Sequence, residues 1–240
     1  MGERNQRLCT WSGAVVAVLF FTGFAVIARY IPPPLPTETA AETAQRYREH
    51  GTAIRLGMII SLFGITFYMP WSAAISVHLR RIEGRHTPMT YAQLGMGAAL
   101  SVVFVPVLYF FVIAAFRPER SDENIQMLND LGWVLFTGII YTIFVQNLLI
   151  GITVLGDRRA EPVVPRWYGY YSIWTAIAYC PACLDAFSTT GPFAWNGIFS
   201  WWLSLTAFFI YIVVTTGMLV RANKGLEPES ALDGASLAQA

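Results

Sequence analysis

Apolar positions in this chain come in long unbroken runs rather than in alternation. Polar and charged positions gather in the short stretches between them. Six windows, roughly 11–28, 55–78, 89–115, 131–155, 167–189 and 195–220, are almost free of charge. Each reaches the ~18 or more residues that mark a membrane-crossing helix, and at ~1.5 Å rise per residue each can cover ~30 Å of hydrocarbon. A closed barrel would need ten-residue alternating segments, and these runs do not alternate. The pattern therefore predicts an all-α fold: a polytopic bundle of six transmembrane helices with short helices in the outer loops. The spans fill most of the chain, so residues 1–240 form a single membrane domain, with 221–240 a flexible cytoplasmic tail.

The connections carry their own signals. The first outer one opens with "IPPPLP", a stiff polyproline stretch. It continues with "TAAE" at 39–42, a capping box with Thr39 as cap and Glu42 reaching back. This predicts a short helix that runs to about His50 and stops at Gly51. In "RPERSDENIQMLND", Ser121 followed by two acids predicts a second short helix, with Asn129 and Asp130 capping the fourth span. "TTGPFAWNG" reads as a tight turn with aromatics at interface depth.

Composition agrees with the pattern. Of the 240 residues, 55% are apolar and 13% charged, against about 25% charged in soluble domains. Charge placement then sets an orientation. With the N-terminus inside, ten basic residues fall in cytoplasmic pieces (including loops 79–88 and 156–166) and six in outer pieces. Both termini are expected in the cytoplasm and the membrane to be a bacterial plasma membrane. Arg4 and Arg7 before the first run, and "VIA" at 26–28, resemble a secretory signal. That run is longer than a signal core, and it is expected to persist as a helix. Net charge near +1 points away from nucleic acid as a partner; membrane lipids are the expected surroundings.

"RLG" at 55–57 with "RRIE" at 80–83 finds an echo in "DLG" at 130–132 with "RRAE" at 158–161, a possible parallel repeat. Short basic inner loops produce the same likeness without any repeat.

Several chemistries are excluded. The one lysine, Lys224, lies outside every window, so a retinal Schiff base has no attachment point. His50 and His86 are expected in loops and His78 at a helix end, so no pair faces across a haem. H-E-x-x-H, Walker A and G-x-S-x-G motifs are absent. No cofactor, no metal and no catalytic residue is nominated.

Candidate ligand-binding residues are polar groups in or beside the windows. Asp185 is an acid near the outer end of the fifth window, where a charge is costly; pairing with Arg117 or Arg120 is an alternative to function. Gln146 and Asn147 lie mid-window, where amides bond to neighbouring helices or line pockets. Trp195 and Asn196 precede the sixth. The expected cavity lies under the outer loops, lined by Asp185 and Trp195 with Gln146 and Asn147 at its floor. Cys180 and Cys183 form a C-x-x-C around Pro181. A redox role is possible for them, but at a helix C-terminal end the dipole disfavours a thiolate. Buried thiols beside a proline kink are the plainer reading. The dense aromatics, 35 residues in all, read mostly as interface belts with a remainder for a pocket.

"RRIEGRHTPM", "NDLGWVLF" and "TGPFAWNG", with the Pro-rich first loop, resemble a group of uncharacterised bacterial six-helix integral membrane proteins. The likeness extends over most of the chain. The chain also resembles hypothetical membrane proteins sometimes encoded beside steroid and lipid catabolic enzymes, and that resemblance implies a hydrophobic ligand. The function expected is binding or moving a small hydrophobic molecule, lipid or sterol-like, in an outward-facing cavity. The alternatives are a non-catalytic scaffold or partner subunit, and a thiol/quinone redox enzyme using Cys180 and Cys183.

Overall fold

The computed structural model describes residues 2–225, and those residues contain helices and turns but no strand. The helices are α1 Gly2–Phe21, α2 Ala40–Thr66, α3 Tyr68–Glu83, α4 Pro88–Phe116, α5 Asp122–Gly138, α6 Tyr141–Leu155, α7 Arg166–Tyr179 and α8 Ser204–Asn223. A π-helical turn, Thr22–Ile27, extends α1; another, Ile198–Leu203, precedes α8; a 3₁₀ turn, Cys180–Phe187, extends α7. Among the described residues five helical stretches are long and apolar enough to cross a membrane: Gly2–Ile27, Ala40–Glu83, Pro88–Phe116, Asp122–Leu155 and Ile198–Asn223. Large apolar side chains such as Val102, Val213, Trp174 and Phe63 stand exposed around the bundle, as lipid-facing positions do. The protein is an all-helical, multi-pass membrane protein.

The two short helices expected in outer loops instead merge with the long helices they precede. The Thr39 capping box forms as expected, with the Thr39 hydroxyl accepting from the Glu42 N–H and Glu42 accepting from the Thr39 N–H at 2.8 Å. The helix it starts does not stop at Gly51 but runs on to Thr66. Gly51 lies inside this helix, with the Ala115 carbonyl of α4 at an ordinary contact distance of 3.4 Å from where its Cβ would stand; it is an interior helical position, not a cap. His50 is accordingly helical and exposed rather than in a loop. Likewise α5 starts at Asp122 and continues through Asn129 and Asp130 to Gly138. Arg48 ties these two extensions together, donating to Asp122 at 2.7 Å and to the Pro118 and Arg120 carbonyls.

The window at 167–189 is not one α-helix. Regular structure stops at Tyr179, after 14 residues, and Pro181, which has no N–H for the next turn, sits at the start of the 3₁₀ segment. Pro70 lies in the first turn of α3, just past the break at Phe67. Pro106, in contrast, is carried inside an uninterrupted α4. At the chain's end α8 reaches Asn223, and the rest of the expected tail, from 226 on, lies outside the described residues.

Small residues set the helix spacing. A Cβ on Gly23 would come within 2.4 Å of the Gly57 carbonyl oxygen, and one on Gly57 within 2.4 Å of the Gly23 oxygen. The backbones of the α1 extension and α2 thus touch, as membrane helices do where small residues meet. Gly151 and Gly169 bring α6 and α7 together in the same way.

Polar side chains also bind the helices to one another. Gln146 accepts from the Tyr68 hydroxyl at 2.7 Å and donates to Ser72 at 3.0 Å and Gln93 at 3.2 Å. Toward the chain termini, Asn223 accepts from Gln6 at 3.2 Å, stands 2.8 Å from His78 and donates to Thr10 at 3.0 Å. His78 is therefore buried in α3 and paired with polar side chains of α1 and α8.

Candidate ligand cavity

Irregular backbone from several helices converges on one place. Phe20 lies in α1 just before its π turn, Ile139 and Ile140 form the break between α5 and α6, Tyr179 ends α7, and Ser200 and Trp201 lie in the π turn before α8. All six line a cavity of about 70 Å³, completed by α4 (Leu100, Phe104), α5 (Phe136, Thr137) and α8 (Ser204, Leu205, Phe208). Straight helices would pack this volume shut. The α5–α6 break and the π turn before α8 supply Ile139, Ile140, Ser200 and Trp201 to its wall, and π turns recur at functional sites.

The wall is almost wholly apolar, and three of its residues carry buried polar atoms. The Tyr179 hydroxyl, the Trp201 indole N–H and the Ser204 hydroxyl are buried and have no hydrogen-bond partner among the described residues. Leaving such a group unpaired costs about 1–3 kcal/mol each, so three on one cavity mark a place where a polar atom is wanted. Ser200, also on the wall, is satisfied by the Phe193 carbonyl at 2.8 Å.

Asp185 stands one residue behind this wall. It is buried and accepts a hydrogen bond from the Thr137 hydroxyl, which itself lines the cavity. Its Oδ1 makes no well-formed hydrogen bond among the described residues and lies 3.4 Å from where a Gly138 Cβ would stand. The carboxylate thus faces the α5–α6 break, and its partner is Thr137 rather than Arg117 or Arg120.

The other sequence candidates are dispersed. Gln146 is fully engaged in the network described above. Asn147 is buried and donates to the Ile143 carbonyl at 3.0 Å, with its Oδ1 unpaired. Trp195 is buried and donates to the Pro34 carbonyl at 2.9 Å, tying the 188–197 segment to the proline stretch. Asn196 lines a separate, outward-opening pocket of about 490 Å³ with Arg29, Tyr30, Glu38, Arg46 and Trp202. Cys180 and Cys183 are free thiols whose sulfurs point at the Ala176 and Cys180 carbonyls of their own helix. Among the described residues no group of three or more His, Cys, Asp or Glu could hold a metal ion.

Sequence reasoning missed the aromatic core above the cavity. Phe24, Tyr30, Phe111, Trp133, Phe136 and Trp201 pack ring against ring, with Trp133–Trp201 at 5.3 Å and Phe24–Phe136 at 4.8 Å. Burial holds the Tyr30 phenol well above its usual range. Of the tryptophans expected at the interface, Trp195 and Trp201 are buried here, whereas Trp167, Trp174 and Trp202 are exposed. Only the register of the π turn separates Trp201 from Trp202, and no sequence period encodes that.

No protein-family model matches the chain, and neither a curated protein nor a solved structure is significantly similar to it.

Proposed function

We propose that this protein binds or moves a small hydrophobic molecule, lipid or sterol-like, within the membrane. One observation carries the reading: an apolar cavity whose wall holds the unpartnered hydroxyls of Tyr179 and Ser204 and the unpartnered Trp201 N–H. Ligand sites combine apolar walls with a few placed polar groups in this way, and an oxygen-bearing apolar molecule would satisfy the orphaned donors. At about 70 Å³ the cavity takes the end of such a molecule rather than the whole; an engineered apolar cavity of about 150 Å³ is what holds benzene. Asp185, through Thr137, holds one wall in place. In this reading α7 and its 3₁₀ extension form a sixth crossing. Both termini lie on the cytoplasmic side of a bacterial plasma membrane, and the cavity lies toward the outer face.

The test is mass spectrometry of molecules retained through gentle detergent purification, for the wild type and for Tyr179→Phe. The reading expects an apolar molecule at near-stoichiometric level in the wild type and its depletion in the variant. A ligand-free protein that carries a stoichiometric protein partner would replace this reading with the scaffold one. Thiol-dependent quinone reduction would replace it with the redox one.

A further inference from the structure

Two surface hollows adjoin at Trp202, and their chemistry is opposite. One is the outward pocket holding Arg29, Arg46, Glu38 and Asn196. The other is a groove of about 610 Å³ between α1 and α8, lined by Val18, Phe21, Ile31, Leu205, Phe209 and Ile210 among others. Trp202 belongs to both, and Leu205 of the groove also lines the inner cavity. From Trp202 to Ile210 the groove runs roughly 12 Å along the helix axis.

The polar end has an uncompensated positive charge. Arg46 is paired with Glu38, and its Nη1 is buried with no hydrogen-bond partner. Arg29 is exposed and forms no ion pair among the described residues. Its backbone has φ +58°, a left-handed conformation costly for an arginine. With Glu38 neutralising one guanidinium, one net positive charge remains, together with the Asn196 amide.

We propose that these two hollows form one binding site for a single-chain amphiphile with a monoanionic head, of the fatty-acid class. The carboxylate sits against the exposed Arg29, beside the Arg46–Glu38 pair, and the chain lies in the α1–α8 groove. The charge matches a monoanion rather than a phosphomonoester dianion, and one groove suits one chain. Leu205 separates the groove from the inner cavity, so the site is a lateral approach to it from the lipid. The proposal rests on the reading that the protein binds a hydrophobic molecule and adds that molecule's class.

The experiment compares mid-chain diazirine analogues of palmitate and of hexadecanol, crosslinked to the full-length protein in phosphatidylcholine nanodiscs, with labelled peptides mapped. The acid should label 18–31 and 202–210 about fivefold more than the alcohol, the scale of a partly exposed charge pair. Arg29→Gln should bring the acid down to the alcohol's level, and Arg29→Lys should keep most of the preference. Because Arg29 is exposed, both variants should fold, and an unchanged melt by circular dichroism checks this. Equal labelling by acid and alcohol in the wild type overturns the proposal, as does labelling elsewhere on the bundle or an acid preference that survives both Arg29→Gln and Arg46→Gln. If the groove stays unlabelled while Tyr179→Phe still depletes a retained molecule, this proposal alone fails. If the groove stays unlabelled and the purified protein carries no apolar molecule, the functional reading fails with it.

Discussion

The Thr137 hydroxyl of α5 donates to the buried carboxylate of Asp185, 48 residues further along the chain. This one bond joins the helix before the α5–α6 break to the 3₁₀ turn after α7, on the back of the cavity wall. Thr137→Val keeps the shape and removes the donor. The expected outcome is a loss of about 1–3 kcal/mol from an unpaired buried group, read as a lowered melting temperature in detergent. Asp185→Asn, which can still accept, should lose less. Asp185→Leu should also alter ligand retention more than Arg158→Leu does. Equal stability of Thr137→Val and wild type would remove this bond from the account.

Tyr179→Phe is expected to behave in the opposite direction. Its hydroxyl has no partner among the described residues, so deleting it relieves a desolvated group and should leave stability equal or raised by up to about 1 kcal/mol. Ligand retention should fall at the same time. A variant that is both less stable and unchanged in retention would mean that the hydroxyl has a structural partner instead.

The glycine contacts predict a sharp contrast. Gly57→Val should prevent the α1 extension from docking, because a Cβ there meets backbone at 2.4 Å. Gly95→Ala and Gly217→Ala face open space, and should be neutral or stabilising by up to about 1 kcal/mol through helix propensity. Thermal melts of the three variants decide it.

Cys180 and Cys183 hydrogen-bond only to their own helix. The double change Cys180→Ala with Cys183→Ala should leave folding and ligand retention nearly intact. Disappearance of a redox or spectroscopic signal in that variant would reinstate the thiol chemistry.

Orientation is testable by single-cysteine labelling in a cysteine-free background. Thr87 is buried, so the exposed His86 is the better inner-loop position, paired with Thr190 opposite. An impermeant maleimide applied to intact cells should label Thr190→Cys and spare His86→Cys. The reverse pattern would invert the bundle.

Much of this protein was written in one dimension. Charge-free windows long enough to cross a bilayer follow from composition alone, because lipid forces each backbone group to be satisfied within its own helix. The Thr39–Glu42 box was equally legible, since a capping box is a contact over three residues. Where helices join or break was less so. Gly51 looked like a stop and became an interior helical position, because the helix runs on into the apolar stretch that packs against its neighbours. The α5–α6 break at Ile139–Ile140 has no proline to announce it.

The site lay almost entirely beyond the sequence. Asp185 and Asn196 stood out as polar residues in apolar surroundings; Asn196 lines a hollow and Asp185 stands behind the wall of another. Tyr179, Ser204 and Trp201 did not stand out, because an unpaired donor is defined by what fails to reach it, and that depends on five other helices. The π turn before α8 and the unsignalled α5–α6 break meet at the cavity wall, with the end of α7 beside them. Local sequence specifies that a helix forms; the packing of helices against one another decides where it departs from regularity and what opens there.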